Sequence, residues 1–95
     1  MSRPLPPQAL HLPRLAQSAP GQWVQLPGLS ARVLALSGKI SEQGGGALLC
    51  LAGEAVVDLP TGAFVHLRAG ELFTVAGPWQ ALGLKEGTVL LQWLD

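Results

Sequence analysis

Leu48-Leu49-Cys50-Leu51-Ala52 runs into Gly53-Glu54, and Ala55-Val56-Val57-Asp58-Leu59 runs into Pro60-Thr61-Gly62. Ala63-Phe64-Val65-His66-Leu67-Arg68 then meets Ala69-Gly70-Glu71, and Leu72-Phe73-Thr74-Val75 meets Ala76-Gly77-Pro78. Short apolar runs at even spacing, each closed by a turn signal, are the pattern of an all-β sandwich or barrel. A βαβ protein would interleave them with helical stretches, and none stands between these runs. Gly53, Gly62, Gly70 and Gly77 fall where the strands reverse, where left-handed backbone favours glycine.

The pattern extends in both directions. Ala81-Leu82-Gly83-Leu84 and Thr88-Val89-Leu90-Leu91-Gln92-Trp93, joined by Lys85-Glu86-Gly87, read as a closing hairpin. Upstream, Gln22-Trp23-Val24-Gln25-Leu26 alternates polar and apolar as a first strand, with a turn at Pro27-Gly28. Ala31-Arg32-Val33-Leu34-Ala35-Leu36 is a second strand, ended by Ser37-Gly38, and Gly44-Gly45-Gly46 is a loop or hairpin tip. Residues 1–20 form an extended arm punctuated by Pro4, Pro6, Pro7, Pro13 and Pro20, and residues 21–95 form the barrel domain. No helix longer than a turn is expected, because Pro13 interrupts the one candidate, Pro7–Gln17. Leu10, Leu12 and Leu15 give the arm apolar side chains with which to dock on the body, and a free tail is the alternative.

The 95 residues suffice for one domain with a thin core. Apolar residues make up 48% of the chain and charged residues only 13%, about half the usual ~25%. So little charge leaves part of the surface to be covered by a second copy, and a homodimer is expected. Arg3, Arg14, Arg32, Lys39, Arg68 and Lys85 are isolated from one another, so nothing neutralises a phosphate backbone and no nucleic-acid partner is expected. No apolar run is long enough to span a membrane, and no secretory signal heads the chain, so a cytoplasmic location is expected. The single cysteine, Cys50, excludes an internal disulfide and a multi-cysteine metal site.

Leu51-Ala52-Gly53-Glu54, then Leu67-Arg68-Ala69-Gly70-Glu71, then Val75-Ala76-Gly77 resembles, in order and spacing, the three turns of the small cupins. The resemblance covers roughly residues 22–94. It implies a jelly-roll-like double-stranded β-helix barrel, usually dimeric, with a pocket in the barrel mouth.

Metal-dependent cupins carry two histidines, a glutamate and a later glycine in the first motif. With Gly53 as that glycine, Gly46 stands at the glutamate. Glu42 and Ile40, or Ser41 and Lys39, stand at the histidines, according to which of the family's two gaps applies. In the second motif the turn alignment puts Gln80 at the histidine, and strict counting from Gly70 puts Ala81 there. A transition-metal site needs three or four imidazole, thiolate or carboxylate ligands. No metal and no cofactor is therefore expected. His11 lies in the arm. His66 alternates with Val65 and Leu67 and so faces solvent or a partner.

By the same implied alignment, Gly46, Leu48 and Cys50 face the interior, as do Gln80, Leu82 and Leu84, with no Arg or Lys among them. The expected ligand pocket is thus apolar, with Trp79, Gln80, Cys50, Leu48 and Leu82 around it. Trp79, at the turn after Gly77-Pro78, either roofs that pocket, plugs a dimer contact or serves as a core lid. No basic group adjoins Cys50 in sequence to activate its thiol, and it reads as a core residue. The acidic residues, Glu42 included, read as turn-borne or solvent-facing. No Ser/His/Asp order is visible and there is no tyrosine. Taken together, these readings point to a metal-free, non-catalytic barrel that binds a small neutral ligand or a partner protein. The alternatives are a small metal-independent enzyme, an isomerase or thiol catalyst built on Cys50, Gln80 or Glu42, and a purely structural dimerisation module.

Overall fold

Leu48 and Cys50 are wholly buried, and Leu49 between them points to the opposite side of the same strand. That alternation recurs through an antiparallel two-sheet barrel, seen in a computed structural model that describes residues 9–94. The elements in chain order are α1 (Leu12–Gln17), β1 (Val24–Gln25), β2 (Ala31–Ala35), β3 (Lys39–Glu42) and β4 (Gly46–Ala52). β5 (Glu54–Asp58), β6 (Phe64–Arg68), β7 (Leu72–Val75), β8 (Trp79–Gly83) and β9 (Val89–Trp93) complete them. The first sheet has the order β1-β2-β9-β4-β7 and the second β3-β8-β5-β6.

The main core lies between the sheets. Leu48, Cys50 and Leu90 from the first sheet meet Ala55, Val57, Leu67, Trp79 and Ala81 from the second. A second core lies on the outer face of the first sheet, where Leu12, Leu15 and Ala16 of α1 cover Ala31, Val33, Ala35, Val89 and Leu91. The arm is therefore docked through α1, while Leu10 stays exposed and residues 1–8 lie outside the described residues. The expectation that Pro13 forbids a helix is corrected. Pro13 occupies the first turn, where its missing N–H has no intrahelical acceptor and its fixed φ suits the helix. His11 caps that turn, its Nδ1 accepting from the Arg14 N–H at 3.1 Å.

Four further readings change. The first strand shortens to Val24–Gln25, and Lys39–Glu42, with no clear apolar pattern, is a strand paired with β8. The closing hairpin does not form: β8 pairs with β3 and β5, whereas β9 pairs with β2 and β4 in the other sheet. Gly77 is not left-handed, although Gly53, Gly62 and Gly70 are.

The β4–β5 corner shows how the chain changes sheets. The register of β4 against β9 slips between Cys50 and Ala52, a bulge that bends the strand. Gly53 follows at φ +73° with its α-carbon pressed on Thr88, so that an added Cβ would lie 2.3 Å from Thr88 Oγ1 and 2.7 Å from its Cα. The buried Thr88 hydroxyl also accepts from the Glu54 N–H at 3.3 Å, which fixes the corner against the β8–β9 loop. Gly53→Ala is expected to cost about 2–3 kcal/mol in urea unfolding, from left-handed strain plus the clash. Gly62→Ala, at φ +90° but with no atom within 4 Å, is expected to lose only about 1 kcal/mol.

Candidate functional site

The ends of β3 and β5, the start of β8 and the loops around residues 43–45, 59–63 and 76–78 gather at one end of the barrel. Just inside that end lies a polar cluster that spans both sheets. Arg32 of β2 and Gln92 of β9 are cross-strand partners, and both point between the sheets. Arg32 Nε and Nη2 donate to Gln92 Oε1 at 2.9 and 2.7 Å. The fully buried Gln92 amide then donates to the carbonyls of Gly44 and Gly45 at 3.2 and 3.3 Å. Trp79 Nε1 donates to the same Gly44 carbonyl at 2.9 Å.

On the far side of Arg32, its Nη2 lies 3.6 Å from Glu42 Oε1, and Trp23 Nε1 donates to that same oxygen. The guanidinium sits over the Trp23 ring, 4.0 Å from its centroid, a cation–π contact. Trp23 meets Trp79 edge to face, with centroids 6.4 Å apart. Among the described residues no buried side-chain nitrogen or oxygen lacks a partner. The interior is thus filled by groups that satisfy one another.

These observations correct several orientations. Trp79 and Ala81 face inward, while Gln80 is exposed and Leu82 is 41% exposed on the outer face, as is Leu84. The strict count that placed Ala81 at the family's histidine has the facing observed; the turn alignment that chose Gln80 is one residue out of phase. Arg32 lies inside, against the expectation of no interior cation, and Glu42 is an inward strand residue, not a turn residue. Gly46, Leu48 and Cys50 do face inward, but as closely packed core.

The residues present do not fit the metal that the cupin barrel often holds. An added Cβ on Gly46 would stand 2.2 Å from the Trp93 carbonyl oxygen, so no side chain fits where the family's glutamate would be. Glu42 is committed to Arg32 and Trp23, and Gln80 points away. No group of three or more His, Cys, Asp or Glu residues gathers among the described residues. Cys50 is equally unsuited to nucleophilic work. Burial pushes its thiol up, a backbone hydrogen bond with Ala52 offsets this only in part, and the Glu54 and Glu71 carboxylates push it up further.

Above the cluster runs a groove made of two adjoining hollows that share Leu59, Pro60 and Pro78. One, of about 350 Å³, is bordered by Ser41, Glu42, Gln43, Asp58, Trp79 and Gln80. The other, of about 460 Å³, is bordered by Thr61 and Phe73–Gly77. Trp79 and Gln80 therefore meet at this groove, one as its floor and one on its rim. Leu48, Cys50 and Leu82 are not part of it. The sequence reading gives Arg32, Gln92 and Trp23 no role inside the barrel. A glutamine inside the apolar run Val89–Trp93 was the available signal, since a buried amide requires several partners.

His66 lies on the outer face of the second sheet, as its alternation implied. Its Nε2 is 2.9 Å from Glu54 Oε2, and Lys85 Nζ is 2.9 Å from Glu54 Oε1. Lys85, and next His66, hold the Glu54 carboxyl below its ordinary value.

No family model matches the chain, and no curated protein matches it. Among solved structures, the crystal structure of protein NMB1881 from Neisseria meningitidis superposes with a TM-score of 0.69 at 17% identity, covering 93% of this chain and 100% of that one. A cupin-2 domain protein from Shewanella frigidimarina superposes with a TM-score of 0.62 at 8% identity, covering 80% of this chain and 82% of that one. The fold is that of a small cupin-like barrel.

Two outcomes follow from the site. Gln92→Leu strips Arg32 of one acceptor, leaving it Glu42, and the Gly45 carbonyl of its donor, while the Gly44 carbonyl keeps Trp79 Nε1; it is expected to cost about 1–3 kcal/mol by urea unfolding. The Glu54 carboxyl is depressed on folding, so its stabilisation is complete above the ordinary carboxylate range and disappears as pH falls through the lowered value. Wild type should therefore lose more stability than Glu54→Gln across the acid limb of a urea-midpoint titration.

Proposed function

We propose that this chain is a metal-free, non-catalytic cupin-like domain, working in the cytoplasm, that binds a small neutral ligand in the groove over Trp79 and Gln80. The observation that carries this reading is the closed barrel interior. Chemistry inside a cupin barrel needs an open site and ligating or titrating groups there, and here Arg32, Glu42, Gln92 and both tryptophans are spent on one another. What remains accessible is the groove. Its polar border supplies hydroxyl and amide groups from Ser41, Gln43 and Gln80, which donate and accept. Its two charged residues, Glu42 and Asp58, are both acidic, and no lysine or arginine lines it. A carboxylate ligand would meet repulsion there, whereas a neutral molecule with an apolar part against Leu59, Pro60 and Pro78 meets none.

The barrel's stability should not depend on a metal. Purified protein is expected to hold none in stoichiometric amount, and chelator should leave the melting temperature unchanged. A metal near one per chain whose removal lowers that temperature would overturn this part.

The ligand reading is tested by nuclear magnetic resonance with a panel of neutral amide, carboxylate and ammonium fragments. Neutral fragments are expected to shift the Ser41, Asp58 and Gln80 amides saturably, and Gln80→Ala should weaken that binding several-fold at an unchanged melting temperature. Trp79→Ala is unsuitable as a pocket probe, since emptying this buried site costs about 3–5 kcal/mol. Saturable binding only by carboxylates, or shifts confined to other faces, would defeat the proposal.

A further inference from the structure

Asp58 of β5 and Gln80 of β8 are cross-strand partners, and from that pair two segments run on to the barrel end. One is Asp58-Leu59-Pro60-Thr61, and the other leads back from Gln80 through Trp79 and Pro78 to Gly77 and Ala76. They wall the groove, and Leu59, Pro60 and Pro78 border both hollows where one passes into the other. Proline has no N–H, so this neck presents apolar surface and no backbone donor at Pro60 or Pro78. Beyond the neck, the hollow of about 460 Å³ is bordered by Phe73, Val75 and Ala76. Its only polar side chains are the hydroxyls of Thr61 and Thr74, and it has no charged one. The groove therefore has a polar end and an apolar end.

The polar end makes definite demands on a ligand. Ser41, Gln80 and Asp58 stand in one row across β3, β8 and β5, with Gln80 in the middle. Neighbours in such a row lie ~5 Å apart on one face of the sheet, within reach of a single small group. Of the two carboxylates at this end, Glu42 is spent on Arg32 and Trp23. Asp58 enters no ion pair among the described residues. An ionised carboxylate only accepts, so Asp58 requires an N–H or O–H from the ligand. The Gln80 amide beside it also donates, and so requires an acceptor. An ammonium brings donors alone and a carboxylate acceptors alone, whereas a carboxamide brings both.

We infer that the ligand is a neutral amphiphile. Its carboxamide-like head donates to Asp58 and accepts from Gln80, and its unbranched apolar chain passes the proline neck into the second hollow. This rests on the groove reading and names the ligand class for it. The two ends contribute differently. Hydrogen bonds on an exposed row replace bonds to water and add little net affinity, so the head sets selectivity and orientation. The chain leaves water for a hollow that holds no charge, and supplies most of the affinity.

The test is a nuclear magnetic resonance titration of the intact chain with butanamide, pentanamide, hexanamide and heptanamide. Affinity is expected to rise roughly three- to fourfold for each methylene that enters the second hollow. The longer members should shift the Phe73, Ala76 and Gly77 amides in addition to those of Ser41, Asp58 and Gln80. N,N-dimethylhexanamide keeps the carbonyl but has no N–H, and should bind roughly tenfold more weakly than hexanamide. Asp58→Ala should erase that difference at an unchanged melting temperature. Ala76→Leu, which fills the second hollow, should remove the gain with chain length and leave butanamide binding as it was. If no member of the series shifts Ser41, Asp58 or Gln80, the groove reading fails and this inference with it. If all of them bind there equally whatever their length, or if hexylammonium binds more tightly than hexanamide, the groove still binds and the neutral amphiphile is overturned.

Discussion

The Gly44 carbonyl is the point on which the barrel end depends. It accepts from both Trp79 Nε1 and Gln92 Nε2, and so ties the second sheet to the first through the β3–β4 loop. A carbonyl oxygen has two lone pairs, and here both accept from the side chains of two buried residues. Gln92 can reach it only because its own oxygen holds Arg32, and Arg32 holds Glu42 at the seam where β2 meets β3. Losing Arg32 leaves the buried Gln92 oxygen without its partner, which costs more than the bond itself contributes. The cluster is therefore cooperative: it specifies one arrangement of the two sheets as well as stabilising it.

The same cluster fills the space between the sheets at this end of the barrel. Large side chains fill the space: Arg32 sits over the Trp23 ring, and Trp23 meets Trp79 edge to face. Backbone also crowds the space, since Gly46 lies so near the Trp93 carbonyl that even a methyl group is excluded. In a barrel with inward histidines, ligands of one metal would share this volume. Here an ion pair, an amide and two indoles occupy it. The substitutions at the family's ligand positions and the appearance of Arg32, Gln92 and Trp23 are two aspects of one packing solution.

The sheet pattern was legible because period-two burial leaves a direct trace, as at Leu48 and Cys50 against Leu49 and Leu51. The turns marked by Gly53, Gly62 and Gly70 were legible because their backbone demands glycine. β2 was read as a strand, but its interior residues were not, because both faces of it are covered: Ala31, Val33 and Ala35 by α1, Arg32 and Leu34 by the opposite sheet. Alternation cannot show which face is the barrel when neither faces water. β3 was missed since Lys39 and Ser41 are polar and Glu42 points inward only by virtue of Trp23 and Arg32, residues distant in sequence. Gln80 was misplaced by a single residue, and in a strand that error exchanges the faces of every side chain. α1 was missed because Pro13 was weighed as an interruption when it opens the helix.

The turns and the interior thus obey different constraints, and the distinction bears on what the fold can say about function. Glycine turns are required by backbone geometry in any barrel of this topology, whatever the barrel contains. Interior groups answer to chemistry, and they are free to change so long as volume and hydrogen bonding are conserved. A chain can therefore share the fold of these neighbours over most of its length at 17% identity or less, and the fold by itself assigns no site. On the proposed reading the site lies outside the filled interior, on the groove rim where Ser41, Asp58 and Gln80 stand in register across β3, β5 and β8. Those three side chains are held by a rigid sheet and committed to no partner inside the barrel. A row of hydroxyl, carboxylate and amide set by strand register is the geometry that the proposed recognition surface requires.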